Sequence, residues 1–104
     1  ILVVTSPQEL SGMIVQKAVN MARMMDVPVM GLIENYSYLS CPDCGKRIAV
    51  FGESHVEEIA SKHGLPVLAR LPIDQKLAEL CDRGEVERYQ SDAIGDTLAA
   101  IEAL

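Results

Sequence analysis

Three short apolar runs decide most of what this chain can fold into: "ILVVTS" at 1–6, "VPVMGLIEN" at 27–35 and "LPVLARLP" at 65–72. Each places Val, Ile, Leu or Met on successive positions rather than alternate ones, the pattern of a strand covered on both faces. Segments with helical spacing separate them. The resulting β-α-β order predicts an α/β layered fold: a parallel sheet of about three strands with flanking helices.

The first helix is predicted to follow "SPQE", where Ser6 caps, Pro7 suits the first turn and Glu9 completes a capping box. Leu10, Ile14, Ala18, Met21 and Met25 recur at helical spacing and predict its apolar face, with Asp26 and Pro28 ending it. Ser54 and Glu57 form a second capping box, opening a helix that stops at Gly64. Helices over 75–83 and from Asp92 to Ala103 complete the pass, and "RIAVFG" reads as a short β-segment beside the cysteines.

At 104 residues the chain suits one domain, and its 49% hydrophobic content is enough for a modest core. It has no initiator Met and opens inside a buried-strand run, and three strands leave open edges. Together these predict a piece of a longer protein. The net charge of −6, without a basic run, argues against nucleic acid, and no apolar run reaches the roughly 20 residues of a membrane span. No signal peptide is evident, so a cytoplasmic protein without a membrane partner is the expectation.

Chemistry concentrates in "YLSCPDCGKRIAVFG", residues 38–52, where Cys41 and Cys44 stand three positions apart in a tight turn. Such a knuckle aims two sulfurs at one centre, and a metal normally takes four ligands. Four readings are open. The thiols are incidental; or a zinc site is completed from Cys81, His55 and His63, whose spacing forms no motif. A redox pair is the third, although Gly45 and Lys46 continue a loop instead of opening an apolar helix. In the fourth, two chains each supply one pair. Tyr36, Tyr38, Leu39 and Phe51 flank the knuckle and are expected to keep water from it. Cys81 reads as a core thiol and His55 as exposed.

The strand ends are the second candidate site, since ligands of open α/β sheets bind beyond the carboxyl ends of the strands. Thr5-Ser6, Glu34-Asn35 and Pro72-Asp74 fall there. An Asn at such an end can present its amide to a purine edge.

"VTSPQE", the stretch from Lys17 to Glu53, "GLPVLARLPID" and "LCDRGE", in this order, resemble the C-terminal half of the Mrp-type ATPases. These are iron–sulfur cluster carriers of the MinD- and ParA-like deviant P-loop group. The most specific block is the E-N-x-S-Y-x-x-C-P-x-C-G pattern beginning at Glu34, and "FGESH" with "LCDRGE" gives an archaeal flavour. The resemblance implies that residues 1–104 are the C-terminal half of an ATPase domain with a P-loop NTPase-like sheet. It implies that Cys41 and Cys44 bind a 4Fe–4S cluster bridging a homodimer, with zinc as a substitute, for transfer to apo iron–sulfur proteins. Asn35 would contact adenine, and the Leu71-Pro72-Ile73-Asp74 turn would line the base pocket. The departure is the phosphate loop: no G-x-x-x-x-G-K-S/T or Gly-Lys-rich stretch is present. ATP and Mg²⁺ handling, and any hydrolysis, are therefore expected of a longer parent. The rivals are a structural zinc module and a MinD-like protein-positioning ATPase.

Overall fold

A computed structural model describes residues 1–8, 10–91 and 93–104. The elements run β1 (Leu2–Thr5), α1 (Leu10–Met24), β2 (Gly31–Ser40), β3 (Arg47–Ile48), α2 (Val56–His63), β4 (Val67–Pro72), α3 (Gln75–Asp82), a 3-10 turn (Val86–Arg88) and α4 (Gly95–Glu102). β2 is central. It pairs in parallel with β1, from Leu2 opposite Gly31 to Thr5 opposite Glu34, and with β4, from Leu32 opposite Val67 to Tyr38 opposite Pro72. The expected three-stranded parallel sheet is therefore present, and β3 adds an antiparallel pairing at the far end of β2.

Two strand boundaries differ from expectation. β2 begins at Gly31, because Val27 to Met30 are spent on leaving the helix through the left-handed residue Asp26 (φ 58°). It also continues past Asn35 to Ser40, which turns the expected cysteine loop into the tip of a hairpin. The predicted β-segment is confirmed over Arg47–Ile48 only.

The core joins Val3 and Leu32 of the sheet to Val15 and Val19 of α1 and to Val56 and Ala60 of α2. The burial of α1 corrects the predicted face. Ser11, Val15, Val19 and Ala22 are buried, whereas Ile14, Met21 and Met25 are exposed; Ala18 of the predicted set packs on the core, and the Leu10 side chain lies outside what is described. The helix carries two apolar stripes, and the compact β-branched one fits against the sheet.

Of the two predicted capping boxes, the first involves Glu9, which lies outside the described residues; the helix starts at Leu10, and Ser6 Oγ bonds Ser11 Oγ at 2.9 Å. In the second, Glu57 turns away to pair with Arg70 at 2.7 Å, leaving Ser54 to receive the Val56 N–H at 3.2 Å. Asp92, the predicted start of the last helix, is outside the described residues, and α4 begins at Gly95. No described helix is long and apolar enough to cross a membrane.

Candidate functional site: a cysteine hairpin and a cleft on one strand

β2 serves two sites. After Glu34 it leaves regular pairing, with Tyr36 in the left-handed region (φ 55°), and then extends as the outgoing arm of the cysteine hairpin. At the tip, Cys41 N–H donates to the Lys46 carbonyl and Gly45 N–H donates to the Cys41 carbonyl, both at 2.8 Å. Gly45 (φ 74°) supplies the reversal. The backbone N–H groups of Cys44 and Asp43, followed by the Cys44 thiol, hold the Cys41 thiol below its ordinary value. Cys41 is half-buried, Cys44 is exposed, and both thiols are free.

Among the described residues, no group of three or more His, Cys, Asp or Glu side chains stands ready to hold a metal. His55 caps the start of α2 without a side-chain cap bond and approaches Glu58 at 3.9 Å, while His63 is the last residue of that helix. Cys81, expected in the core, is exposed on α3, because its neighbour Leu80 takes the buried position.

The flanking aromatics also differ from expectation. Tyr36, Leu39 and Phe51 are exposed, together with Ile48 and Val50, so within one chain they do not form the expected dry pocket. Tyr36 meets Phe51 edge to face at 6.0 Å, and the Arg47 guanidinium lies 4.2 Å from the Tyr38 ring centre.

The strand-end cleft, about 220 Å³, is lined by Asn35, Leu71, Pro72, Leu77, Tyr89, Ser91 and Ile94. Asn35 Oδ1 accepts the Tyr36 N–H at 2.9 Å, which turns the amide donor Nδ2 toward other acceptors. Asn35 also borders a second hollow with Val4, Thr5, Ser6 and Ser11, where the buried Thr5 hydroxyl has no partner among the described residues. The predicted base-pocket residues are thus divided. Asn35, Leu71 and Pro72 share the cleft, whereas Ile73 and Asp74 border a separate hollow beside Leu39, Ser40 and Pro42 of the cysteine hairpin. Ile73 N–H donates to the Tyr38 carbonyl at 2.7 Å, tying this turn to the hairpin arm.

Asp74 acts on the cleft from behind. Its Oδ1 caps α3, and its Oδ2 accepts the Tyr89 hydroxyl at 2.6 Å. The Tyr89 hydrogen bond lowers the Asp74 carboxyl against the opposing effect of burial, and Asp74 raises the Tyr89 phenol. Tyr89, Ser91 and Ile94 are cleft residues that sequence reasoning missed. Their one signal was an isolated aromatic in the polar, non-helical stretch "VERYQS".

The ParA family, described as NUBPL iron-transfer P-loop NTPase, matches residues 1–103. The iron–sulfur cluster carrier protein of Pyrococcus furiosus is 48% identical over 83 residues, 80% of this chain and 28% of that protein. The Clostridium perfringens carrier of the same name is 40% identical over 92 residues, 88% of this chain and 32% of that one. The chain thus spans less than a third of either relative. Among solved structures, the nucleotide-binding protein of Archaeoglobus fulgidus in complex with ADP, with cobalt found in it, superposes with a TM-score of 0.78. That protein is 41% identical, the match covering 88% of this chain and 37% of its own. A match over 103 residues, together with a P-loop NTPase-like sheet and the cysteine hairpin, identifies the chain as a member of the NUBPL iron-transfer P-loop NTPase family.

Proposed function

We propose that this chain is the cargo-holding part of an iron–sulfur cluster carrier, in which Cys41 and Cys44 of two copies together grip one 4Fe–4S cluster. The observation that carries this reading is the isolated thiol pair at an exposed hairpin tip. Two thiolates are half of what a cluster needs, and a two-fold axis supplies the other half without further residues. The exposed side chains of Tyr36, Leu39, Ile48 and Phe51 support the same arrangement, because a second copy would cover them. The amide groups beside Cys41 favour the thiolate that ligation requires. Exposure of Cys44 suits cargo over a resident cofactor: an incoming thiolate of an apo iron–sulfur protein can reach the cluster and displace it ligand by ligand. Zinc would accept the same donors.

The cleft at Asn35 is proposed to take the base of ATP or ADP, with Leu71 and Pro72 as apolar walls and Asn35 Nδ2 as the polar contact. Ile73 and Asp74 would act indirectly, Asp74 by holding Tyr89 at the cleft. Phosphate and Mg²⁺ contacts belong to the remainder of a longer protein, since no phosphate-loop motif occurs in this stretch. A reducing cytoplasm is the proposed location, consistent with three free thiols.

The test is anaerobic iron and sulfide reconstitution of the full-length protein, with metal content and molecular mass measured for wild type, Cys41→Ala, Cys44→Ala and Cys81→Ala. The expected result is about two irons per chain in a dimer, lost with either of the first two changes and kept with the third. One zinc per chain in a monomer, lost with Cys81→Ala, would overturn the proposal in favour of a closed structural site.

A further inference from the structure

Glu34 is 1% exposed, among the most deeply buried side chains of the protein, yet no Lys, Arg or His pairs with it among the described residues. Its two carboxyl oxygens instead accept hydroxyl hydrogens from two serines, Ser37 onto Oε1 and Ser54 onto Oε2, both at 2.6 Å. Burying a carboxyl group costs several kcal/mol unless its oxygens are hydrogen-bonded, so these two contacts are what makes the position tenable.

The two serines are not neighbours in sequence. Ser37 begins the outgoing arm of the cysteine hairpin and Ser54 ends the returning segment, so together they bracket residues 38–53, including Cys41 and Cys44. The β2–β3 ladder within this excursion is two residue pairs long, Leu39 with Ile48 and Ser40 with Arg47, supplemented by the Cys41–Lys46 bond at the tip and the Arg47–Tyr38 and Tyr36–Phe51 contacts. So short a ladder is a weak fastening for a loop that must present two thiols. Ser54 extends the connection inward, since its Oγ also receives the N–H of Val56, a 1%-exposed core residue that opens α2.

We propose that Glu34 is the positioning residue of the cysteine hairpin: its carboxyl group clasps Ser37 to Ser54 and so fixes the base of the thiol-bearing segment against the core. The inference rests on the reading of Cys41 and Cys44 as the cargo ligands only in giving the clasp its purpose; the clasp itself is a statement about the chain. It also makes residues 34 and 35 a junction, in which one side chain holds the hairpin and the next borders the strand-end cleft.

The experiment compares wild type, Ser54→Ala and Glu34→Gln in the full-length protein by amide hydrogen exchange resolved to peptides. Ser54→Ala removes one arm of the clasp and leaves the carboxyl with Ser37; Glu34→Gln keeps the shape and exchanges one acceptor for a donor. Exchange over 38–53 should rise on the order of tenfold in Ser54→Ala, the weight of one hydrogen bond to a carboxyl group, and less in Glu34→Gln. Exchange in β1 and α1 should stay as in wild type. After reconstitution with iron and sulfide, the variants should lose iron to a chelator faster than wild type. Unaltered exchange over 38–53 in both variants, or an equal rise throughout the chain, overturns the clasp. Failure of wild type to bind iron while the local exchange change appears overturns the carrier reading and leaves the clasp standing.

Discussion

Tyr89 donates its phenolic hydrogen to Asp74 Oδ2 across 2.6 Å, while Asp74 Oδ1 receives the backbone N–H groups of Lys76 and Leu77 that begin α3. One carboxylate therefore starts a helix and fixes an aromatic wall of the strand-end cleft.

The pair makes stability depend on pH at both ends. Asp74 is held below its ordinary 3.8, so its contribution is present above that value and is lost as pH falls through the lower folded value. Tyr89 is held above its ordinary 10.0, so its contribution is complete below that value and is lost as pH rises through the higher folded one. Tyr89→Phe should cost about 1 kcal/mol at neutral pH. Denaturant unfolding of both proteins across pH checks this: the gap should shrink in acid as Asp74 protonates, and a gap constant with pH would contradict it.

Gly31→Ala should destabilise the protein by roughly 2 kcal/mol or more through overpacking. An added Cβ would meet the Pro66 carbonyl oxygen at 2.8 Å and Leu68 carbons at 2.9 Å. The Pro66 carbonyl is pinned by the Leu32 N–H at 2.9 Å and cannot retreat without breaking the β2–β4 junction. A melting temperature unchanged from wild type would contradict this packing.

Gly45→Ala should behave differently, because nothing lies within 4 Å of the added carbon and only the left-handed backbone (φ 74°) resists it. The cost is about 1 kcal/mol and stays in the thiol turn. Reconstituted protein should release iron to a chelator several-fold faster while the melting temperature falls by only a few degrees, and Gly45→Asn should recover part of the loss.

Asn35→Ala removes a side chain whose Oδ1 accepts the next backbone N–H, that of Tyr36. In the full-length protein, ADP affinity should fall on the order of tenfold, the worth of one purine contact, with little change in melting temperature. Titration calorimetry beside a thermal melt separates this from a purely structural turn residue, for which the melt alone would move.

Much of the fold was legible because apolar runs report local periodicity. The strands at Leu2–Thr5 and Val67–Pro72, and the helix start at Asp74, lie close to where their patterns put them. The buried face of α1 was not legible. Two stripes, Ile14-Met21-Met25 and Val15-Val19-Ala22, satisfy helical spacing equally, and side-chain shape against the sheet chose the second. Glu34 read as a polar strand end because its partners are a serine three residues on and another twenty residues on.

The β-α-β order and the two-thiol turn follow from local pattern, since both depend on residues close in the chain whose spacing dictates backbone conformation. Which side chains share a space follows from the packed fold. Tyr89 reaches Asp74 over fifteen positions and Ser54 reaches Glu34 over twenty. Cys41 and Cys44 remain without a third ligand among the described residues. Such pairings form when folding closes long loops, and loop closure is governed by the packing of the whole core and not by any local period.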